Sequence, residues 1–466
     1  MNMNKLYTFL LLSLTLIIAS CGDDDSGPEP VSLNFENTTI GVSGSSDATA
    51  TIIFSRPAEV AGTLVVTITA GDLVYGASND FFTAPAAENN VINIPFVEGE
   101  ESVEITVSQG EALNIEEDKS ISLAIAAEPS TDFLIGNNQS VTATFSENYV
   151  TPSAAVTADV GGEARDYFYF VDLDKFVMTK VNRNNYDLAL ESSGEGFNIL
   201  LNASTLMLAQ ETEETEFTAI TPEDTVGLSL QSSSNLDIPE GGSMFSGDLS
   251  ETVFYNWDVD GDLSNVYIID RGVTANGEGA ESRGWKKVQI SKDGNDYIVH
   301  AANIDGTDDQ TFTISKSSDY SFKYVHLSNG EVPVEPKANE WDILVRATSQ
   351  FVQMGPTMSH IYNSQAAYHN FFGSTKTARI DLEESDKTYE DVSLADATSA
   401  LNANEEDFNT IGISWRGLGE NYSYVAYPDQ VYIIEDANGN IFKLQFTSYY
   451  NNDNETGPQF QFEHLN

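Results

Sequence analysis

The sequence predicts an all-β protein, an N-terminal β-sandwich followed by two tandem β domains. Apolar and polar residues alternate over runs of about five to eight, separated by clusters of Gly, Asn, Asp and Ser, the pattern of half-buried strands and tight turns. One hairpin signature occurs twice, so part of the chain is an internal repeat. The length of 466 residues suits roughly three domains, and a hydrophobic fraction of 41% is enough for packed cores.

The first residues read as a processing signal. Lys5 is the basic start, Leu6 to Ile18 the apolar run and Ala19-Ser20 the small residues before a cleavage point, so residues 1–20 are taken as a signal peptide. The apolar run is too short to span a bilayer. Ile17-Ile18-Ala19-Ser20-Cys21 resembles the bacterial lipobox, which implies diacylation of Cys21, and more than one acyl chain is what stable anchoring requires. Cys21 is the 1 cysteine of the chain, which excludes an internal disulfide. Gly22-Asp23-Asp24-Asp25 resembles the export signal by which Bacteroidetes-type bacteria carry lipoproteins to the outer leaflet of the outer membrane, implying a cell-surface protein. Residues 21–30, ending in Ser26-Gly27-Pro28-Glu29-Pro30, read as an acidic tether.

Charge removes one class of partner. Lys and Arg number 21 against 72 Asp and Glu, a formal net charge of -51, which opposes any grip on a phosphate backbone; no nucleic acid is expected.

Residues 31–148 carry strand patterns at Ala50 to Phe54, Thr63 to Thr69, Val91 to Phe96, Val103 to Val107, Ile121 to Ile125 and Val141 to Phe145, with no helix of normal length. The pieces Asn79-Asp80-Phe81-Phe82, Ile92-Asn93-Ile94-Pro95, Glu98-Gly99-Glu100-Glu101-Ser102-Val103, Ile115-Glu116-Glu117-Asp118 and Phe133-Leu134-Ile135-Gly136 resemble the Calx-beta family. That resemblance implies a β-sandwich and, in some members, calcium held by acidic loop residues; the matching positions are Glu36, Asp80, Glu117 and Asp118. The alternative is a spacer or adhesion module.

Tyr149 to Val160 reads as a linker. Beyond it, Phe168-Tyr169-Phe170-Val171-Asp172-Leu173 followed by Tyr186-Asp187-Leu188-Ala189-Leu190 is echoed by Phe322-Lys323-Tyr324-Val325-His326-Leu327 followed by Trp341-Asp342-Ile343-Leu344-Val345. The repeated hairpin closes each copy. Val431 to Phe446 turns at Asp436-Ala437-Asn438-Gly439-Asn440, and its echo, Val266 to Asp270 and Trp285 to Ile290, is joined by a longer Gly-rich loop, Arg271 to Gly284. Two successive domains follow, residues 159–316 and 317–466. The aromatic residue before each Asp reads as a core anchor whose carboxylate neighbour bonds a turn amide.

Tyr186-Asp187-Leu188-Ala189-Leu190 running into Gly196-Phe197-Asn198-Ile199-Leu200-Leu201-Asn202, the pair Trp341-Asp342, and Asp436 to Phe446 are similar to the HmuY family of surface lipoproteins. The resemblance implies a hemophore: an all-β protein that takes heme from host carriers and passes it to an outer-membrane transporter. It also implies a pair of His or Met heme ligands, one shortly ahead of the final hairpin. The matching span, Trp415 to Gln430, has neither His nor Met, and Glu251 to Asn265 in the first copy lacks them too. Tyr422, Tyr424 and Tyr427 are there, and Tyr can ligate heme iron.

On chemical grounds a second group stands out in what reads as the loop region after the Trp341 strand: Met354, Met358, His360 and His369, in a chain with 5 His and 7 Met. His and Met are axial heme ligands, and Phe351, Tyr362, Phe371 and Phe372 could flank a porphyrin. No H-E-x-x-H, G-x-S-x-G or P-loop occurs, so no enzymatic template has an anchor. Two functions stay open, a heme-binding surface lipoprotein of iron acquisition and a surface adhesion lipoprotein that binds glycan or protein without heme.

Overall fold

The computed structural model describes residues 30–465 apart from 43–46, 114, 116, 117, 147–149, 229, 231–247, 260, 354–358, 386, 405, 406, 420 and 421, and apart from the side chains of 350–353 and 359–361. Cys21, the signal peptide and most of the tether lie outside the described residues. The chain divides into two compact units, Met1–Glu147 and Asn148–Asn466. Both are built of strands, in keeping with the expected all-β class.

The first unit runs through β1 (Val31–Phe35), β2 (Thr39–Val42), β3 (Ala48–Phe54), β4 (Gly62–Thr69), β5 (Phe81–Ala84), β6 (Val91–Phe96), β7 (Ser102–Gln109), β8 (Lys119–Ala127), β9 (Phe133–Ile135) and β10 (Ser140–Phe145). They form two five-stranded sheets, β5-β7-β3-β1-β9 and β2-β10-β8-β4-β6. Alternation decides which face is buried: Leu64, Val66 and Ile68 of β4 and Ile121, Leu123 and Ile125 of β8 enter one core with Leu33, Ile52 and Ile105 from the other sheet. All six strands expected from the sequence are there.

The second unit contains β11 (Ser153–Thr157), β12 (Tyr167–Asp172), β13 (Val177–Asn182), β14 (Leu188–Glu191), β15 (Ile199–Leu201), β16 (Leu208–Glu211), β17 (Leu263–Asp270), β18 (Trp285–Asp293), β19 (Asp296–Asn303) and β20 (Gln310–Ser315). It continues through β21 (Phe322–His326), β22 (Gly330–Val332), β23 (Ile343–Gln353), β24 (Ser359–His369), β25 (Lys376–Asp381), β26 (Arg416–Leu418), β27 (Tyr424–Ala426), β28 (Gln430–Glu435), β29 (Ile441–Tyr450) and β30 (Thr456–His464). Two helices follow β25, α1 (Leu382–Ser385) and α2 (Leu394–Ala403). Tyr149 to Val160 is not a free linker, since β11 pairs along its length with β30.

The repeat is real, but its halves do not stand side by side. In the first copy β12 pairs with β23 of the second, setting Tyr169, Phe170 and Val171 opposite Val345, Leu344 and Ile343. In the second copy β21 pairs with β14 of the first, setting Lys323, Tyr324 and Val325 opposite Leu190, Ala189 and Leu188. The two registers are the same once the copies are aligned. The outer sheets match in the same way: β20, just ahead of the opening strand of the second copy, joins β19 of the first, and β11, just ahead of the opening strand of the first, joins β30 of the second. The expected boundary at residues 316 and 317 is thereby corrected, because each half lends strands to the other and residues 148–466 form one unit.

Side-chain chemistry follows the same exchange. Asp187 accepts the turn amide of Leu327 at 2.8 Å, and Asp342 accepts that of Leu173 at 2.8 Å. Asn202 donates to Arg183 and Tyr186 carbonyls, and Asn370 donates to the equivalent carbonyls of Ala338 and Trp341. Tyr186 and Trp341 are anchors of one shared cluster with Phe168, Phe170 and Phe322. Phe170 and Trp341 meet edge to face at 4.9 Å, as do Tyr186 and Tyr324.

Candidate ligand-binding sites

The segment expected to be a loop after Trp341 is the long hairpin of β23 and β24, paired over its whole length from Ile343 opposite His369 to Gln353 opposite Ser359. Its alternation is hidden because polar residues are buried on it. Asn363 donates to the Ser204 carbonyl, Ser364 is held by Arg416, and the Gln365 carbonyl accepts Arg416 Nε at 2.8 Å.

This geometry separates the expected heme ligands. Met354 and Met358 lie at the hairpin tip, outside the described residues. His360 stands at the tip end of β24 and His369 at the other, nine positions along, which an extended strand spaces by about 30 Å. One iron cannot be shared by His360 and His369. His369 is 1% exposed, and burial lowers its pKa to about 4, so it is a neutral core imidazole.

Beside the tip half of β24 a groove of about 620 Å³ opens. It is built by the turn before β12, the Gly-rich loop between β17 and β18, the residues from Tyr422 to Tyr424, and the ends of β24 and β29, with Leu206 and Thr456 at its margins. Tyr362, Tyr422, Tyr424, Tyr449 and Tyr450 line it, with Arg165, Asn276 and Asn363 among its polar groups. Tyr424 stacks on Tyr449 at 4.7 Å, and Tyr449 lies 5.8 Å from Trp415, which stacks on Phe446 at 4.3 Å. A rigid aromatic ladder therefore runs from the groove into the core. Tyr422 stands at the lip, 88% exposed and with a left-handed backbone, φ 61°. Arg165 donates to the Asn363 carbonyl at 2.6 Å and to the Tyr449 hydroxyl at 3.2 Å. Three buried atoms have no protein partner: Arg165 Nε, Asn363 Oδ1 and Asn276 Nδ2. The volume falls within the usual range for ligand sites, roughly 300–1,000 Å³. Tyr427 is not among the groove's lining residues.

A second, smaller cavity of about 70 Å³ lies where the two copies interlock, partly open beside the half-buried Arg346. Phe170, Phe322, Trp341, Leu344, Tyr368 and Phe372 are among its walls, and Glu335, Arg346, His369, Asn370 and Ser321 supply polar groups. The Glu335 carboxylate accepts from Tyr324 Oη at 3.1 Å, Trp341 Nε1 at 3.3 Å and Phe322 N at 3.2 Å. Burial nevertheless pushes its pKa up to about 7, these donors and the Ser321 amide only moderating the shift. Both ring nitrogens of His369, Asn370 Oδ1, Ser321 Oγ and Arg346 Nε find no protein partner. Each such group costs about 1–3 kcal/mol if nothing meets it.

The copies differ at one more place. Asp187 is fully buried and paired with Arg271 and Arg283, each at 2.9 Å. Burial opposes its charge, but the two guanidiniums outweigh that and hold its pKa below the usual carboxylate range. At the equivalent place Asp342 has no arginine partner among the described residues. Burial, with Asp436 and Asp174 nearby, pushes its pKa to about 7, and burial together with Asp174 raises that of Asp172.

Glu36 is exposed and Asp80 half-buried, where its carboxylate accepts the Val74 amide at 2.7 Å. Asp118 is exposed, and Glu117 lies outside the described residues. Among the described residues no group of three or more His, Cys, Asp or Glu is arranged to hold a metal. Among them, too, no helix is long and apolar enough to cross a membrane.

No curated protein matches the chain. Among solved structures, one that is similar is the crystal structure of the apo-form Calx CBD1 domain, with a TM-score of 0.21 and 13% identity over 25% of this chain and 97% of that one. A single match to the HmuY family, described as HmuY protein, spans residues 164–464, from the turn before β12 to the end of β30 and across both copies of the repeat. The chain belongs to the HmuY family.

Proposed function

We propose that this protein is a non-enzymatic, cell-surface lipoprotein that binds heme in the tyrosine-lined groove and serves iron acquisition. The observation that carries the reading is the groove itself, bounded on one side by the segment just ahead of the final hairpin and on the other by the tip half of β24. Its flat aromatic walls and its volume suit a porphyrin, and Arg165 offers a cation to carboxylate substituents in a chain of net charge -51. Tyr422 supplies an exposed phenol of a type that holds heme iron in other proteins. His360, two positions along β24 from Tyr362 and so about 7 Å farther by backbone, is the nearest imidazole by sequence. His369 is excluded from the set by its distance along the strand. Heme bound there would bring iron and its redox chemistry, while the chain would orient the ring and exclude water from one face. Anchoring through Cys21 and delivery to an outer-membrane transporter complete the proposal.

Titration with hemin, followed in the Soret region, tests it. A saturable shift is expected, weakened at least tenfold by Tyr422→Phe or His360→Ala. A wild-type protein that gives no saturable shift is instead the adhesion lipoprotein.

A further inference from the structure

The small cavity at the interlock of the two copies shares no lining residue with the groove and has its own chemistry. Its walls are aromatic and aliphatic, yet four polar side chains that line it carry unpartnered atoms: His369, Asn370, Ser321 and Arg346. The first three are at most 2% exposed. Natural interiors leave few such groups, and a cluster of them around one space points to a guest that meets them.

Charge narrows the guest. Arg346 sits against the phenols of Tyr186 and Tyr324 and 5.5 Å from the centre of the Tyr368 ring. Among the described residues it forms no ion pair, although the chain has 72 acidic residues against 21 basic ones. The Glu335 carboxyl is already engaged by Tyr324, Trp341 and the Phe322 amide. What the cavity lacks is an anion for Arg346 and an acceptor for the hydroxyl of Ser321 and the N–H of neutral His369.

Size narrows it further. The space of about 70 Å³ holds roughly two waters and is about half of a cavity known to admit benzene. An aromatic ring does not fit, and a head group of three or four heavy atoms with a short apolar tail does.

We propose that this cavity binds a short-chain monocarboxylate of roughly two to four carbons, its carboxylate toward Arg346, His369 and Ser321 and its alkyl end among the Phe170, Phe322 and Leu344 side chains. Asn370 is left to accept from an accompanying water. The site sits at the joint between the exchanged halves, so occupancy stabilises the unit that both halves build.

The test uses the full chain and sodium propionate, with 1-propanol and sodium chloride as controls, read by calorimetry and by fluorescence of Trp341 at the wall. Saturable propionate binding with a Kd at or below about 10 mM is expected, together with a raised Tm and no comparable effect of propanol or chloride. Arg346→Met should weaken it at least tenfold, and Ala189→Leu, which takes up space at another lining position, should abolish it even where the first variant folds poorly. Tyr422→Phe should leave propionate binding unchanged, which keeps this site distinct from the heme reading. No saturable binding, equal binding of propanol, or binding untouched by both cavity variants would overturn the proposal and leave a cavity filled by water.

Discussion

Asp187 and Asp342 occupy the same place in the two copies, each after an aromatic anchor and each accepting a turn amide, yet their surroundings carry opposite charge. Removing one partner of a buried ion pair leaves the others uncompensated, which costs about 3–5 kcal/mol. Asp187→Asn, which strands Arg271 and Arg283, should therefore cost about that much in urea unfolding at pH 7, and the loss should shrink in acid as the wild-type carboxylate is itself protonated. Asp342 has the reverse linkage. Its folded pKa of about 7 stands above the ordinary 3.8, so the protein binds its proton more tightly folded than unfolded. Stability from this group is full below pH 4, falls as the pH rises toward 7, and is gone above. Asp342→Asn keeps an acceptor for the Leu173 amide. It should be near neutral at pH 4.5 and more stable than wild type at pH 8, by of order 2 kcal/mol; equal midpoints at both pH values would refute the charge argument. The sequence showed both aspartates and their turn role, because an aromatic-Asp pair at a strand start has a local cause. It did not show which one is neutralised, since Arg271 and Arg283 come from a loop far along the chain.

At the scale of elements, the strands of the first unit were legible because each has one wet face, so Leu64, Val66 and Ile68 stand out against polar neighbours. The hairpin of β28 and β29 was legible for its turn, where the Asp436 carboxylate accepts the amides of Asn438 and Asn440 at 2.8 Å. β24 was not, because Asn363, Ser364 and Gln365 are polar yet buried and break the alternation. That misreading made one cluster of His360 and His369. Helix α2 was missed although its signal is present: Ser393 and Asp396 form a capping box, and Ala397, Ala400 and Leu401 face a core. The groove was half legible, its tyrosines noted but its far wall, the Gly-rich loop, read only as a connector. The paired asparagines give a test at this scale. Asn202 makes three bonds, adding the Ser204 amide at 3.0 Å to its two carbonyls, whereas Asn370 Oδ1 has no protein partner. Asn202→Ala should then cost more than Asn370→Ala, by about 1 kcal/mol in denaturant unfolding. The opposite order would show that a guest or water completes the Asn370 site more firmly than the backbone completes that of Asn202.

At the scale of the whole molecule, the repeat in the sequence suggests two domains in a row, and the pairing of strands shows why that inference misleads. Similar segments report similar local structure, but they do not report which copy supplies the neighbouring strand. Here β12 needs β23, β21 needs β14, and β11 needs β30. A fragment of residues 159–316 keeps β14 and β12 but loses the strands that cover them, leaving Phe168, Phe170 and Tyr186 without Phe322 and Trp341. A fragment of residues 317–466 loses β11, β12 and β14 in turn. Unpaired edges and half a core do not support a cooperative fold. Residues 148–466 should unfold in one sharp urea transition with dispersed amide resonances, whereas each half alone should show neither. Refolded together in equal amounts, fragments of residues 148–306 and 307–466, cut between β19 and β20 so that β11 stays with the first and β20 with the second, should reassemble as a one-to-one complex, since every broken contact is recovered by association. Cooperative unfolding of either half by itself would mean that strand exchange is incidental, and that the tyrosine-lined groove and the interlock cavity, both assembled from the two copies, could each survive without one of them.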